Sequence, residues 1–126
     1  MELKMTQELH SISSANSQAI QESLGDEEHI RELSDLFKAL CDPTRLRIIL
    51  ALKEEELCVH DLALLTETSE SNASHQLRVL RNMKLVKYTR RGKQVFYSID
   101  DEHISHFLED IQQHLGEQNG EEDRSE

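Results

Sequence analysis

Between Val59 and Ile99 the hydrophobic period changes from that of a helix to that of a strand, and this change constrains the fold more than any other feature of the chain. A short helical stretch across Val59 to Leu65 leads into the polar run "TETSES", and a longer helix is predicted from about Ser71 to Met83. The segment "LVKYTRRGKQVFYSI" then alternates, with Val86 and Tyr88 on one side of Arg91-Gly92 and Val95 and Tyr97 on the other. That is the pattern of a two-strand hairpin with a basic tip. Upstream, Ile30, Leu33, Leu36, Phe37 and Leu40 recur at helical spacing, and "CDPTRLRIILAL" restarts a helix with Asp42 as N-cap and Pro43 at its first position. The expected fold is therefore mainly α with a β-hairpin wing: a winged helix-turn-helix.

The longer helix can be laid out at about 100° per residue. Ala73, Leu77 and Leu80 fall on one side with the stem of Lys84, and Ser71, His75, Arg78 and Asn82 fall opposite, flanked by Asn72 and Ser74. Small side chains near the helix N-terminus let a backbone approach a major groove, and Ser, Asn, Gln and Arg can bond base edges or phosphates. The candidate nucleic-acid contacts are therefore Ser71, Asn72, Ser74, His75, Gln76 and Arg78 on the helix and Arg90, Arg91 and Lys93 on the wing.

Charge supports this in spite of its overall sign. The net charge is −11, yet between Ser71 and Ile99 there are seven basic residues and no acidic one. Removing that +7 from −11 leaves −18 on all other residues. A basic element in an acidic chain suits a DNA reader that must not bind every polyanion, although a solvated charged face has the same composition.

With 126 residues and 37% hydrophobic content, the chain suits one small domain with a modest core, which dimerisation would help. Residues 1–25 are polar and read as a flexible or partly helical arm, 26–117 as the winged domain with its last helix, and 118–126 as an acidic disordered tail. No apolar run is long enough for a membrane span and "MELKMTQELHSISSANSQ" has no signal-peptide core, so a cytoplasmic protein is expected. Two cysteines, Cys41 and Cys58, make no disulfide framework.

The stretch "DDEHISHFLEDIQQHLGE" holds metal-ligand side chains in two pairs, Asp101 with His103 and His114 with Glu117. On one α-helix, the step from His103 to His114 is about 16 Å, against ligand distances of about 2 Å. One chain cannot close such a site. Ile104, Phe107, Leu108, Ile111 and Leu115 form an apolar stripe whose flank carries His103, His114 and Glu117, with Asp101 expected in the first helical turn. His106 falls toward solvent, and Asp110 lies midway between the pairs.

The segments "FKALCDPTRLRIILAL", "ELCVHDLA", "SESNASHQLRVLRNMKLV", "RRGKQVFYSI" and "DDEHISHFLEDIQQHLGE" resemble, in order, those of the ArsR/SmtB metal-sensing repressors, from about Leu33 to Glu117. The resemblance implies a homodimer whose metal-free form sits on double-stranded operator DNA and whose metal-bound form lets go. It implies that the last helices of two protomers lie antiparallel, so that Asp101 and His103 face His114 and Glu117 of the partner subunit in two equivalent sites. It also implies that His114, once metal-bound, donates its other ring N–H to the backbone carbonyl of Lys84. Two imidazoles and two carboxylates favour zinc, with cobalt, nickel or cadmium as alternatives.

Some relatives use a third-helix "CVC" segment; here it reads Cys58-Val59-His60, so Cys58, His60 and His10 form a second candidate metal set. Some relatives sense sulfur species with a cysteine near the position of Cys41 and another in the last helix; the last helix here has none. An enzyme would need an open coordination position, and four protein ligands leave none. The chain is expected to be a zinc-responsive repressor without catalytic activity.

Overall fold

A computed structural model describes residues 8–124, and in it the order of elements is α1 (Ser14–Leu24), α2 (Glu27–Leu40), α3 (Pro43–Glu54), α4 (Val59–Leu65), α5 (Glu70–Asn82), β1 (Val86–Arg91), β2 (Gln94–Ile99) and α6 (Glu102–Arg124). The chain divides into two compact units, with the boundary between Lys38 and Ala39. In the first unit, the Ser13 hydroxyl caps α1 by accepting the Asn16 N–H at 3.2 Å, and Asp26 accepts the His29 N–H at 2.8 Å at the start of α2. Gly25, where the sequence reading ends the arm, separates these two helices.

The second unit is built on α3. Asp42 caps it as expected, with its carboxylate accepting the Arg45 N–H at 2.9 Å and Pro43 at the first helical position, where its missing N–H costs nothing. Ile48 and Ile49 are both fully buried because α3 has α5 and α4 beside it and β2 as well. Leu62, Ala73, Leu77, Leu80, Leu85 and Val86 are among the other core residues. Thr66 is the one buried polar side chain among the described residues, and its hydroxyl donates to the Leu62 carbonyl at 2.6 Å.

Both helices of the helix-turn-helix stop in the same way, and neither uses glycine. After α4, Glu67 has φ 56°; its N–H donates to the Leu64 carbonyl at 3.3 Å, and the Thr68 N–H donates to the Ala63 carbonyl at 3.0 Å. After α5, Lys84 has φ 61°; its N–H donates to the Arg81 carbonyl and the Leu85 N–H to the Leu80 carbonyl, both at 2.9 Å. These paired bonds are the Schellman closure, in which the left-handed position normally favours glycine.

β1 and β2 pair antiparallel from Val86↔Ile99 to Arg91↔Gln94, leaving Gly92-Lys93 as a two-residue loop. Gly92 takes φ 62° at the first loop position, as a type II′ turn requires. Leu57 adds a short third rung, exchanging hydrogen bonds with Tyr97 at 2.8 and 3.1 Å. α6 packs by its N-terminal part on β2 and buries Leu108. It continues to Arg124, past Glu117, where the sequence reading expects an acidic tail. Glutamate, glutamine and arginine are good helix formers, so charge does not stop the helix there. Among the described residues no helix is long and apolar enough to cross a membrane.

A left-handed conformation strains any residue with a Cβ, so Glu67→Gly and Lys84→Gly should each raise unfolding stability, by about 0.5 kcal/mol after the larger chain entropy of glycine is subtracted. Urea unfolding of the two variants beside Glu67→Ala and Lys84→Ala measures this. Glycine variants no more stable than the alanine ones would contradict it.

Candidate functional site

The outward face of α5 is set by its cap and its buried side. The Ser69 hydroxyl accepts the Asn72 N–H at 3.1 Å, and Ala73, Leu77 and Leu80 point into the core. Ser71, Ser74, His75 and Arg78 are left exposed, as the angular layout predicts.

Asn72 and Gln76 are placed differently. Both are half-buried, in a chain that starts at Arg45. The Arg45 Nε donates to the Ala39 carbonyl at 2.7 Å, and its Nη1 donates to Gln76 Oε1 at 3.0 Å. Gln76 Nε2 then donates to Asn72 Oδ1 at 3.2 Å, and Asn72 Nδ2 to Thr68 Oγ1 at 2.8 Å. These two amides fix α5 against α3 and the turn before it. Their positions four apart, beside Ala73 and Leu77, already set them at the edge of the buried face.

On the wing, Arg90 and Lys93 are exposed near the tip. Arg91 is engaged at home: it forms an ion pair with Glu56 and lies with its guanidinium carbon 5.0 Å from the centre of the Phe96 ring. A basic residue that sequence reasoning left off the contact set, Arg81, stands over the Tyr88 ring at 5.1 Å. The seven-residue step from Ser74 to Arg81 was the available signal, since it puts both on one helix face.

Asp101 lies one residue before α6 and not in its first turn. Its carboxylate acts as a cap, accepting the His103 N–H at 2.8 Å, and the same oxygen is 2.8 Å from His103 Nδ1. The His103 backbone bond first, and then the ring, hold the Asp101 carboxyl below its usual range. The His103 ring is 97% exposed, so its other nitrogen is open to a ligand. His114 and Glu117 stand exposed farther along α6, where Gln113 Nε2 donates to Glu117 Oε1 at 3.4 Å. Among the described residues no three candidate ligands converge, so one chain does not close a site. His106 and Asp110 are exposed on the same helix.

Of the second candidate set, Cys58 is half-buried at the N-cap of α4 and makes no side-chain cap bond. His60 Nδ1 lies 2.7 Å from Glu70 Oε1, joining the starts of α4 and α5, and His10 is an exposed residue of the first unit. Cys41 is exposed.

A family model described as "Bacterial regulatory protein, arsR family" matches residues 42–88. The chain is 47% identical over 87 residues to the transcriptional repressor SmtB homolog of Synechocystis sp., covering 69% of this chain and 66% of that one, just under two thirds of its length. It is 37% identical over 89 residues to the HTH-type transcriptional regulator NmtR of Mycobacterium tuberculosis, covering 71% of this chain and 74% of that one. In structure, it is similar to the homodimeric winged helix-turn-helix DNA-binding domain of a possible ArsR-family regulator from Mycobacterium bovis, with a TM-score of 0.64 at 23% identity over 87% of this chain and 93% of that one. That likeness establishes the winged helix-turn-helix fold.

The bond to His103 gives Asp101 a testable titration. A carboxyl whose folded value is depressed stabilises the fold above about pH 4, and that share is lost as pH falls through the lowered value. Carboxyl carbon NMR should find Asp101 titrating below an ordinary aspartate, and His103→Ala should move it only part of the way back, since the backbone N–H remains. An ordinary Asp101 value in the unmutated protein would contradict the cap.

Proposed function

The chain belongs to the ArsR family of bacterial regulatory proteins, and from that premise we propose that it is a metal-responsive transcriptional repressor that holds operator DNA when metal-free and releases it when metal binds. The observation that carries the metal half of this reading is the arrangement on α6. Asp101 and His103 are held side by side at its start, while His114 and Glu117 stand about 16 Å farther along, half of each of two sites. A second copy supplies the other halves. Exposure of Phe107, Ile111 and Leu115 on the same helix supports a homodimer joined through α6.

The donor set, two imidazoles and two carboxylates, fits zinc, with cobalt, nickel and cadmium as competitors. A zinc ion held by Asp101 and His103 together with His114 and Glu117 of the partner subunit would tie two α6 helices to one another. His114 can then pass its second ring N–H to the Lys84 carbonyl. Lys84 is the left-handed corner between α5 and β1, so a bond there acts on the junction of reading helix and wing. Ser71, Ser74, His75 and Arg78 would meet base edges or phosphates along the major groove, with Arg90 and Lys93 reaching adjacent phosphates. The set of Cys58, His60 and His10 is the alternative regulatory site; in it His60 is already engaged by Glu70. A thiol switch has one exposed cysteine, Cys41, and no partner in α6.

The experiment is a titration of the metal-free protein onto a 30-bp duplex enriched from a random library, repeated with zinc, cobalt, nickel and cadmium. Zinc should weaken binding by about tenfold or more, and the duplex should weaken zinc binding by the same factor, since coupling is reciprocal. Asp101→Ala, His103→Ala and His114→Ala should bind the duplex and ignore zinc, while Cys58→Ser and Cys41→Ser respond normally. Loss of the response in Cys58→Ser with its retention in His103→Ala would move the regulatory site to α4.

A further inference from the structure

Arg78 and Arg81 both line a small hollow between α5 and the wing. The hollow has a volume of about 140 Å³ and is lined by Ser74, Leu77, Arg78, Arg81 and Tyr97. Ser74, Arg78 and Arg81 are spaced four and three residues apart, so they share one face of α5. No carboxylate lines the hollow, and among the described residues neither arginine is paired with one. Two guanidinium groups facing one cavity repel each other, and an anion between them removes that cost. Arginine forks and a hydroxyl are the donors that recognise a phosphate.

The position of Arg81 is fixed from the wing side. Its guanidinium carbon is 5.1 Å from the Tyr88 ring centre, and Tyr88 lies directly opposite Tyr97 in the hairpin, with ring centres 6.0 Å apart and planes at 48°. A guanidinium stacked on a ring that is itself supported loses less orientational freedom on binding. Arg91 makes the contrast, because Glu56 already neutralises it.

We propose that Ser74, Arg78 and Arg81 form a seat for one phosphodiester of the DNA backbone between the reading helix and the wing, with Tyr88 and Tyr97 as positioning residues that hold Arg81 toward it. This rests on the repressor reading above and adds residues to it. The seat is read as a backbone site because two guanidinium charges and a hydroxyl converging on one hollow suit a single anion, and because it lies between the two basic elements that would follow a duplex.

The test measures affinity of the metal-free protein against salt for the enriched 30-bp duplex and for a 30-bp duplex of unrelated sequence. Loss of one phosphate contact reduces the slope of log affinity on log salt by about 0.9. Arg81→Gln should lower the slope by up to that amount, since Arg78 still faces the same phosphate, and lower affinity about tenfold on both duplexes, with circular dichroism and melting temperature unchanged. Arg81→Lys should keep the slope, and Tyr88→Phe should behave as the unmutated protein. Tyr88→Leu should keep the slope and lose affinity threefold or more, since the charge remains and its orientation does not. Unchanged slope in Arg81→Gln, or an affinity loss confined to the enriched duplex, overturns the seat. So does calorimetric binding of inorganic phosphate that needs Arg81 while the DNA slope does not. If no duplex is enriched by the unmutated protein, the repressor reading itself falls.

Discussion

Burial of Ala73, Leu77 and Leu80 fixes the rotation of α5 about its axis, and every proposed DNA contact on that helix depends on this one constraint. Each buried leucine contributes roughly 1.5–3 kcal/mol, whereas a turn of about 100° would bring Arg78 toward the core without a partner for its charge. Several kcal/mol therefore separate the observed face from its neighbours. α3 supplies the opposing surface with Ile48 and Ile49, and Arg45 adds direction to what apolar packing leaves free. Its guanidinium ties the Ala39 carbonyl to Gln76, so the axial position of α5 is set along with its rotation.

Features with a short period were legible in the sequence. The inward and outward faces of α5, the Asp42-Pro43 start of α3 and the Gly92 turn of the wing all follow from residues within a few positions of one another. The candidate ligand pairs on α6 are a matter of spacing in the sequence, and the structure adds that Asp101 caps the helix from the position before it. Contacts that bridge distant segments were not legible. Arg45 with Gln76 spans 31 residues and Arg91 with Glu56 spans 35, and no local pattern announces either. The first turned two expected contact residues, Asn72 and Gln76, into internal ties; the second gave a wing arginine an acidic neighbour. Glu67 and Lys84 were missed for a different reason, since helix stops are sought at glycine and here the backbone bonds suffice without it.

Asp101 shows how one carboxylate can serve two purposes on the same helix. As a cap it satisfies an N–H that the first turn of α6 leaves open, and as half of the proposed ligand pair it lies against the ring of His103. The oxygen that accepts both bonds has lone pairs for more than one partner, so occupancy by a cation would reorganise the cap rather than build a site from separate residues. The helix start and the proposed ligand pair are thus one structural unit.

The two glycine-free helix stops also bear on the order in which the chain assembles. Each is closed by hydrogen bonds spanning at most five residues, from Ala63 to Thr68 and from Leu80 to Leu85. The corner between α4 and α5, and that between α5 and β1, can therefore form from neighbours alone. Loop-closure entropy then falls mainly on bringing α3 against α5, the step that the Arg45–Gln76 bond seals. In kinetic language, the two corners are features of low contact order, whose closing bonds need no partner from a distant segment.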